Sequence, residues 1–271
     1  MIAIAALGFG CAAYVYLTLP DVRSLRTRNP ASTAFMELRA REALAHGEQP
    51  RRLQRWVSYN RISSNLTRAV LVAEDGTFWQ HDGIDYEQLR DAMEVNVERM
   101  EFVRGASTIT QQLAKNLYLS PSKTPARKLR ELLIARRLEA ELPKRRILEI
   151  YLNVIEWGDG IYGAEAAARH YFRMSAAQLG PQEAALLAGA IINPRLLDPG
   201  HPTARLRRRQ QMIVRRMGGV TPPAPPDVTV PPEPVPGLPP APAGLPELLP
   251  GEALPVGRGT GGSGRPPAGS R

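Results

Sequence analysis

From Thr221 to its last residue the chain is rich in Pro and Gly and holds 16 of its 26 prolines. A segment of that composition cannot bury enough apolar surface to offset the entropy of ordering it, so residues 219–271 are expected to form a disordered tail. At the other end, residues 2–19 (IAIAALGFGCAAYVYLTL) carry no charge and come close to the length that spans a bilayer. Tyr14 and Tyr16 near the far end of that run suit a membrane interface, and Pro20 stops the helix. Met1 is followed directly by apolar residues, without the basic start of a cleaved signal peptide, so 1–20 reads as an uncleaved transmembrane anchor. What can fold as a globule is confined to roughly 180 to 200 residues, enough for one domain with a sizeable core.

Charge narrows the partner. The tail sets Arg258, Arg265 and Arg271 against Asp227, Glu233, Glu247 and Glu252, a net −1, so the first 220 residues carry +10 of a formal total of +9. A basic body of this kind suits nucleic acid, acidic lipid headgroups or a phosphorylated substrate, and a solvated basic surface with no partner is the plainer alternative. Arg23, Arg26 and Arg28 follow the apolar block and nothing basic precedes it, which by the positive-inside rule alone puts the body in the cytoplasm. Cys11 is the single cysteine, so one chain offers no disulfide and no thiolate metal site, and Gly8 stands where a lipidation signal needs a Leu-like residue. The four histidines show no paired metal spacing, and no phosphate-loop or dinucleotide glycine pattern is present.

Periodicity in the body is helical. Ser64 suits the N-cap of a helix with Leu66, Ala69, Val70 and Ala73 on one face, ending at Glu74-Asp75-Gly76. A second helix is expected near 84–100. Thr108 and Gln111 fit a capping box that opens a helix carrying Ile109, Leu113 and Leu117. Helices over about 126–141 and 144–155 follow, the latter with Ile147, Ile150, Tyr151 and Val154 on one face. Small residues in Gly163–Ala168 and Gln182–Ala190 suit close helix packing, and no alternating run is long enough to read as a strand. The fold class expected is predominantly α.

Three segments carry chemistry. In EDGTFWQHDG (Glu74–Gly83) a carboxylate beside aromatic and aliphatic neighbours loses solvation, which raises its pKa toward a value useful for a general base. Taken alone, the pair of acids also fits a capped helix end with solvated side chains, and His81 fits a structural hydrogen-bonding role. In RGASTITQQLAKN (Arg104–Asn116) small residues allow close backbone approach, Ser107 and Thr108 sit at a helix start, and Gln111 and Lys115 share a face. Arg104, free backbone N–H groups and Lys115 together suit a phosphate, although an ordinary capped amphipathic helix is the competing reading. In RKLRELLIARRLE (Arg127–Glu139), Glu131 shares a face with Arg127 and Lys128 and lies near Lys123, which also describes a surface helix with ion pairs of little worth. The S-x-x-K match at Ser120–Lys123 lacks the companion motifs of acylating enzymes.

Taken in order, these segments resemble the glycosyltransferase family 51 domain, the peptidoglycan glycosyltransferases. The resemblance spans about residues 55–200 and rests on four blocks: E-D-x-x-F-x-x-H-x-G at Glu74–Gly83, G-x-S-T-I-T-Q-Q-L-x-K-N at Gly105–Asn116, R-K-x-x-E at Arg127–Glu131, and K-x-x-I-L-E-x-Y-L-N at Lys144–Asn153. The stretch Glu156–Phe172 is most similar to the monofunctional members, which lack a transpeptidase domain. The resemblance implies an α-helical, lysozyme-like domain with a small membrane-associated jaw subdomain, preceded by one transmembrane helix. The organisation expected is then an anchor at 1–20, a connector and jaw-proximal helix at 21–54, the glycosyltransferase domain at 55–218 and the tail at 219–271.

The implied reaction polymerises lipid II into β-1,4-linked glycan strands with inversion and release of undecaprenyl pyrophosphate. By motif, Glu74 is the implied general base and Glu131 assists on the leaving side or positions the pyrophosphate. Arg104, Ser107, Gln111, Gln112, Lys115, Lys123, Arg127 and Lys128 are implied to line the donor and its diphosphate. No metal site and no obligatory cofactor are implied, with stimulation by a divalent cation left open. The implied partners are lipid II, the growing strand, inner-membrane lipids and proteins of cell-wall synthesis or division, and not nucleic acid. The implied location is the inner membrane, single-pass with a periplasmic catalytic domain, against the local charge count.

The chemistry agrees with the residues, because a glycosyl pyrophosphate brings its own leaving group and needs a base, cations and geometry. An inverting displacement also suits two separated carboxylates. Two positions depart from the family pattern: Thr77 stands where many members have Arg, and Lys123 where Arg is usual, giving a point charge instead of a fork. Weaker substrate affinity is expected from both. A lysozyme-type hydrolase and a catalytically silent membrane scaffold with a Pro-rich recruiting tail remain the competing functions at this stage.

Overall fold

Glycine at position 83 and a run of small residues near 184–190 determine how closely the helices of this protein approach one another. In a computed structural model of the chain, the residues described are 9–10, 13–14, 17–99, 107–122 and 124–218, with backbone alone described over 95–99. Arg104, Lys123, most of the expected anchor and the expected tail lie outside them. All the described residues fall in one unit spanning Met1–Ala224.

Nine α-helices dominate among the described residues: α1 (Ala34–Ala45), α2 (Ser64–Glu74), α3 (Tyr86–Arg99), α4 (Ile109–Tyr118), α5 (Pro125–Glu141), α6 (Lys144–Val154), α7 (Ala164–Phe172), α8 (Pro181–Ala190) and α9 (Ala204–Met217). Helix α2 starts one residue earlier than its sequence suggests, because Ser63 supplies the capping oxygen to Asn65 N–H at 3.2 Å. Its buried face is Leu66, Ala69 and Val70, and it stops where Asp75 leaves helical backbone angles. Helix α8 begins with Pro181, whose missing N–H costs nothing at a helix start. Ala184, Ala185, Ala188 and Gly189 let it lie close to both α2 and α9. A side chain at Gly189 would meet Leu206 Cδ1 of α9 at 3.0 Å.

The other half of the core is α4, packed against α1, α5 and α6. Ile109, Leu113, Ala114 and Leu117 are all buried. Each such side chain contributes roughly 1.5–3 kcal/mol of transfer free energy, apart from the smaller Ala, so burial rather than helix propensity holds α4 in place. The capping box expected there forms only in half. Thr108 accepts the Gln111 N–H at 3.2 Å, but the Gln111 amide turns to Gly83 O at 3.1 Å.

A small sheet goes beyond the sequence reading. It has three strands in the order β1 (Leu53–Gln54), β3 (Ile161–Tyr162), β2 (Glu156–Gly158), with β1 parallel and β2 antiparallel to β3. The strands are two or three residues long and β2 is buried throughout, so no alternation is left to see. Asn153 acts as a further ladder rung, accepting Val57 N–H at 2.9 Å and donating to Val57 O at 2.9 Å. Gly163, at φ +82, follows the sheet where a side chain would strike Asn153 O at 2.8 Å. Among the described residues no helix is long and apolar enough to cross a membrane.

Candidate active site

Two adjacent acids leave the end of α2 in different directions. Asp75 crosses to the start of α4, where Oδ2 accepts the Ile109 N–H at 2.8 Å, a favourable place for a negative charge. The same carboxylate receives His81 Nε2 at 3.0 Å, while His81 Nδ1 accepts the Gly83 N–H at 3.1 Å. That pairing fixes the ring with its proton on Nε2, so His81 is structural. Glu74 stays at the C-terminal, negative end of α2 and is nearly buried. Burial pushes its carboxyl above the usual range, and the neighbouring Asp75 charge adds to this, while Gln112, Arg209 and Lys115 pull the other way.

Both oxygens of Glu74 have protein contacts. Gln112 Nε2 donates to Oε2 at 3.0 Å, and Arg209 Nη2 lies 3.5 Å from Oε1. Gln112 Oε1 in turn accepts the hydroxyl of Tyr151 at 2.8 Å. The four residues come from four helices, α2, α4, α9 and α6.

A second group surrounds Glu131, which is buried. Arg127 Nη1 reaches one oxygen and Lys128 Nζ the other, each at 2.5 Å. Lys128 also donates to Ser107 at 3.1 Å and to Gln111 Oε1 at 2.9 Å. This is not the solvated ion-pair surface that the spacing also allowed. Both oxygens of Glu131 are thus occupied by cations. Thr124 caps α5 by accepting the Arg127 N–H at 3.3 Å, so the register of this cluster begins at the helix start.

Lys115 links the two groups. Its ammonium makes no hydrogen bond or ion pair among the described residues, yet it feels Glu131 and Glu74 as well as Arg127 and Lys128. Burial lowers its pKa first, the two cations add to that, and the two carboxylates oppose it. Two of the N–H groups at the start of α4 are already taken, Ile109 N–H by Asp75 and Gln111 N–H by Thr108.

Of the residues singled out from sequence, Glu74 and Gln112 come together in one group, and Glu131, Arg127, Lys128, Gln111 and Ser107 in the other. Arg104 and Lys123 lie outside the described residues. Thr77 donates to Asp85, which caps α3 by accepting the Gln88 N–H at 2.7 Å, so the departure from the family pattern serves a local turn. Tyr151 and Arg209 were not legible as site residues: one looks like a core position of α6, the other like any of six arginines in α9. Among the described residues no group of three His, Cys, Asp or Glu could hold a metal ion.

Comparison with known proteins shows the family. The transglycosylase family model matches residues 41–218. The chain is 50% identical over 189 residues to the biosynthetic peptidoglycan transglycosylase of Dechloromonas aromatica (strain RCB), covering 70% of this chain and 82% of that protein. It is 51% identical over 193 residues to the biosynthetic peptidoglycan transglycosylase of Laribacter hongkongensis (strain HLHK9), covering 71% and 84%. The similarly named protein of Alcanivorax borkumensis (strain SK2) is 49% identical over 222 residues, covering 82% and 88%.

Proposed function

The chain belongs to the transglycosylase family and is a peptidoglycan glycosyltransferase of the cell envelope, and on that premise we propose that it polymerises lipid II with Glu74 as the general base. The observation that carries this reading is the raised, nearly buried carboxylate of Glu74, electrostatically coupled to Lys115, which in turn feels the Arg127–Lys128–Glu131 cluster. Glu74 takes the proton of the acceptor 4-hydroxyl as its oxygen attacks the anomeric carbon of the donor. The bond from that carbon to the pyrophosphate oxygen breaks, and the electron pair leaves with undecaprenyl pyrophosphate. A single displacement inverts the centre and gives a β-1,4 linkage. Lys115, Arg127 and Lys128 stabilise the charge that builds on the diphosphate, and Glu131 positions the last two. Ser107, Gln111 and Gln112 complete the donor side, with Arg104 and Lys123 completing its cationic lining.

The finer architecture belongs to the same reading. The helical body is lysozyme-like, and α3 leads into a jaw that touches the membrane. Tyr86, Leu89 and Met93 support this, since they fall at i, i+3 and i+7 and are 65%, 40% and 59% exposed. Residues 1–20 anchor the chain in the inner membrane with the body periplasmic, 21–54 connect to the domain at 55–218, and 219–271 form the tail. The protein carries no transpeptidase activity, needs no obligatory cofactor, and meets membrane lipids and proteins of wall synthesis or division.

Incubating detergent-solubilised protein with labelled lipid II tests the proposal. Long uncrosslinked polymer with release of the lipid pyrophosphate is expected. Shortening of preformed strands, with no polymer made, would replace it with a hydrolase.

A further inference from the structure

Helix α9 carries six arginines, and five of them, Arg205, Arg207, Arg208, Arg215 and Arg216, are exposed. Arg209 alone turns inward. Its aliphatic stem lies over Gly189 of α8, where an added side chain would stand 3.6 Å from Cγ and 3.7 Å from Cδ. Its Nη2 faces Glu74 Oε1 at 3.5 Å, and its buried Nε has no hydrogen-bond partner. The guanidinium is therefore spent on Glu74 and on little else among the described residues.

The two oxygens of Glu74 are held unequally. Oε2 has a full hydrogen bond from Gln112, whereas Oε1 has only the longer Arg209 contact. Oε1 is thus the oxygen whose lone pair is open to an incoming hydroxyl. The charged and titratable groups around it are Arg209 from α9, Lys115 from α4, Asp75 beside it, and Tyr151 of α6 acting through Gln112. Lys115 divides its charge between Glu74 and the Glu131 cluster. Arg209 does not.

We propose that Arg209 is a positioning residue for the base: it holds Glu74 charged and aims Oε1 at the acceptor, giving way as the hydroxyl proton arrives. This rests on Glu74 being the base. Its packing over Gly189 sets the reach, and the absence of a close 2.8 Å bridge keeps the carboxylate basic, since a tight bidentate arginine would hold the charge too firmly to accept a proton.

The test is the pH profile of kcat/KM for lipid II polymerisation in wild type, Arg209→Gln, Arg209→Lys and Glu74→Gln. Arg209→Gln should move the acid limb up by about one pH unit, a roughly tenfold loss below the limb with a much smaller loss above it. Arg209→Lys should return the limb toward its wild-type place. An equal loss at every pH, or an unmoved limb, overturns the proposal. If Arg209→Gln does not fold, Arg209→Met keeps the stem over Gly189 and reads the same limb. Wild-type turnover in Glu74→Gln would instead overturn the base assignment, while an inactive Glu74→Gln beside an unmoved limb overturns only the role of Arg209.

Discussion

The hydroxyl of Tyr151 donates to Gln112 Oε1 at 2.8 Å and so decides which way the Gln112 amide faces. Burial, with the nearby Glu74 and Asp75 charges, holds the phenol pKa well above its usual value, so Tyr151 acts as a donor throughout the working pH range. The amide nitrogen is then left pointing at Glu74, 3.0 Å from Oε2. Tyr151→Phe removes the anchor and frees the amide to turn. The expected result is a loss of roughly three- to tenfold in kcat and about 1 kcal/mol of stability. Steady-state polymerisation and urea unfolding check it, and an unchanged kcat would show that the Tyr151–Gln112 relay does not orient the base.

Glu74 should make the protein less stable as pH rises. Its carboxyl titrates higher in the folded protein than the ordinary value of 4.5, chiefly through burial. Below that value it is neutral in folded and unfolded chains alike. Above it the unfolded chain releases the proton first, so folding stability falls until the raised folded pKa is passed. Glu74→Gln is expected to be more stable than wild type at about pH 8, with the gap closing below about pH 4.5. Thermal unfolding at several pH values reads this, and a gap that widens toward acid would mean that the carboxylate is stabilised, not strained, by its site.

Glu131 should behave as a scaffold for cations. Substitution by Gln leaves Arg127 and Lys128 facing each other without the charge between them. Because Lys128 is 41% exposed, water screens part of the cost, and a loss of roughly 1–3 kcal/mol is expected. The KM for lipid II should rise more than kcat falls. If kcat collapses with KM unchanged, Glu131 takes part in the chemical step.

Much of this arrangement could be read from residue types and spacing, and the rest could not. The α2 stripe of Leu66, Ala69 and Val70 and the i, i+4 placing of Arg127 and Glu131 are local patterns, and local patterns survive in a linear string. The Glu74–Arg209 contact joins residues 135 positions apart and depends on how α8 spaces α2 from α9, so one arginine among six carried no mark. The same holds for Tyr151, whose 3.6-residue period marks it as core while its hydroxyl serves the site. The start of α4 is a related case: sequence shows that the helix has N–H groups to satisfy, but not that Asp75, 34 residues away, occupies one of them.

Lys115 should matter for activity and not for folding. It is a partly buried cation whose pKa is lowered by burial, and its ammonium has no hydrogen bond or ion pair among the described residues. Lys115→Met removes an ammonium that the folded protein desolvates without full compensation, so unfolding temperature should hold or rise. The kcat/KM for polymerisation is expected to fall by roughly a hundredfold, about 3 kcal/mol of transition-state stabilisation. Measuring both on the same preparation separates the roles, and a variant that is destabilised but active would make Lys115 structural.

Gly83 is where the two motifs of the site are sewn together, and a single methyl group there should undo them. Its backbone sits at φ +84, a region that side chains disfavour, and an added Cβ would meet Glu139 Cγ at 3.0 Å and Ala135 O at 3.4 Å. Its N–H goes to His81, and its carbonyl accepts both Thr108 Oγ1 at 2.8 Å and Gln111 Nε2 at 3.1 Å. Movement at Gly83 therefore disturbs His81 and Asp75 on one side and the start of α4, with Lys128 behind Gln111, on the other. Gly83→Ala is expected to cost about 1–3 kcal/mol in unfolding free energy and to lower kcat well beyond what the lost folded fraction explains. Denaturant unfolding with kcat normalised to folded protein decides the matter; a variant with full stability and full turnover would show that α4 is held to the Glu74 loop by other contacts.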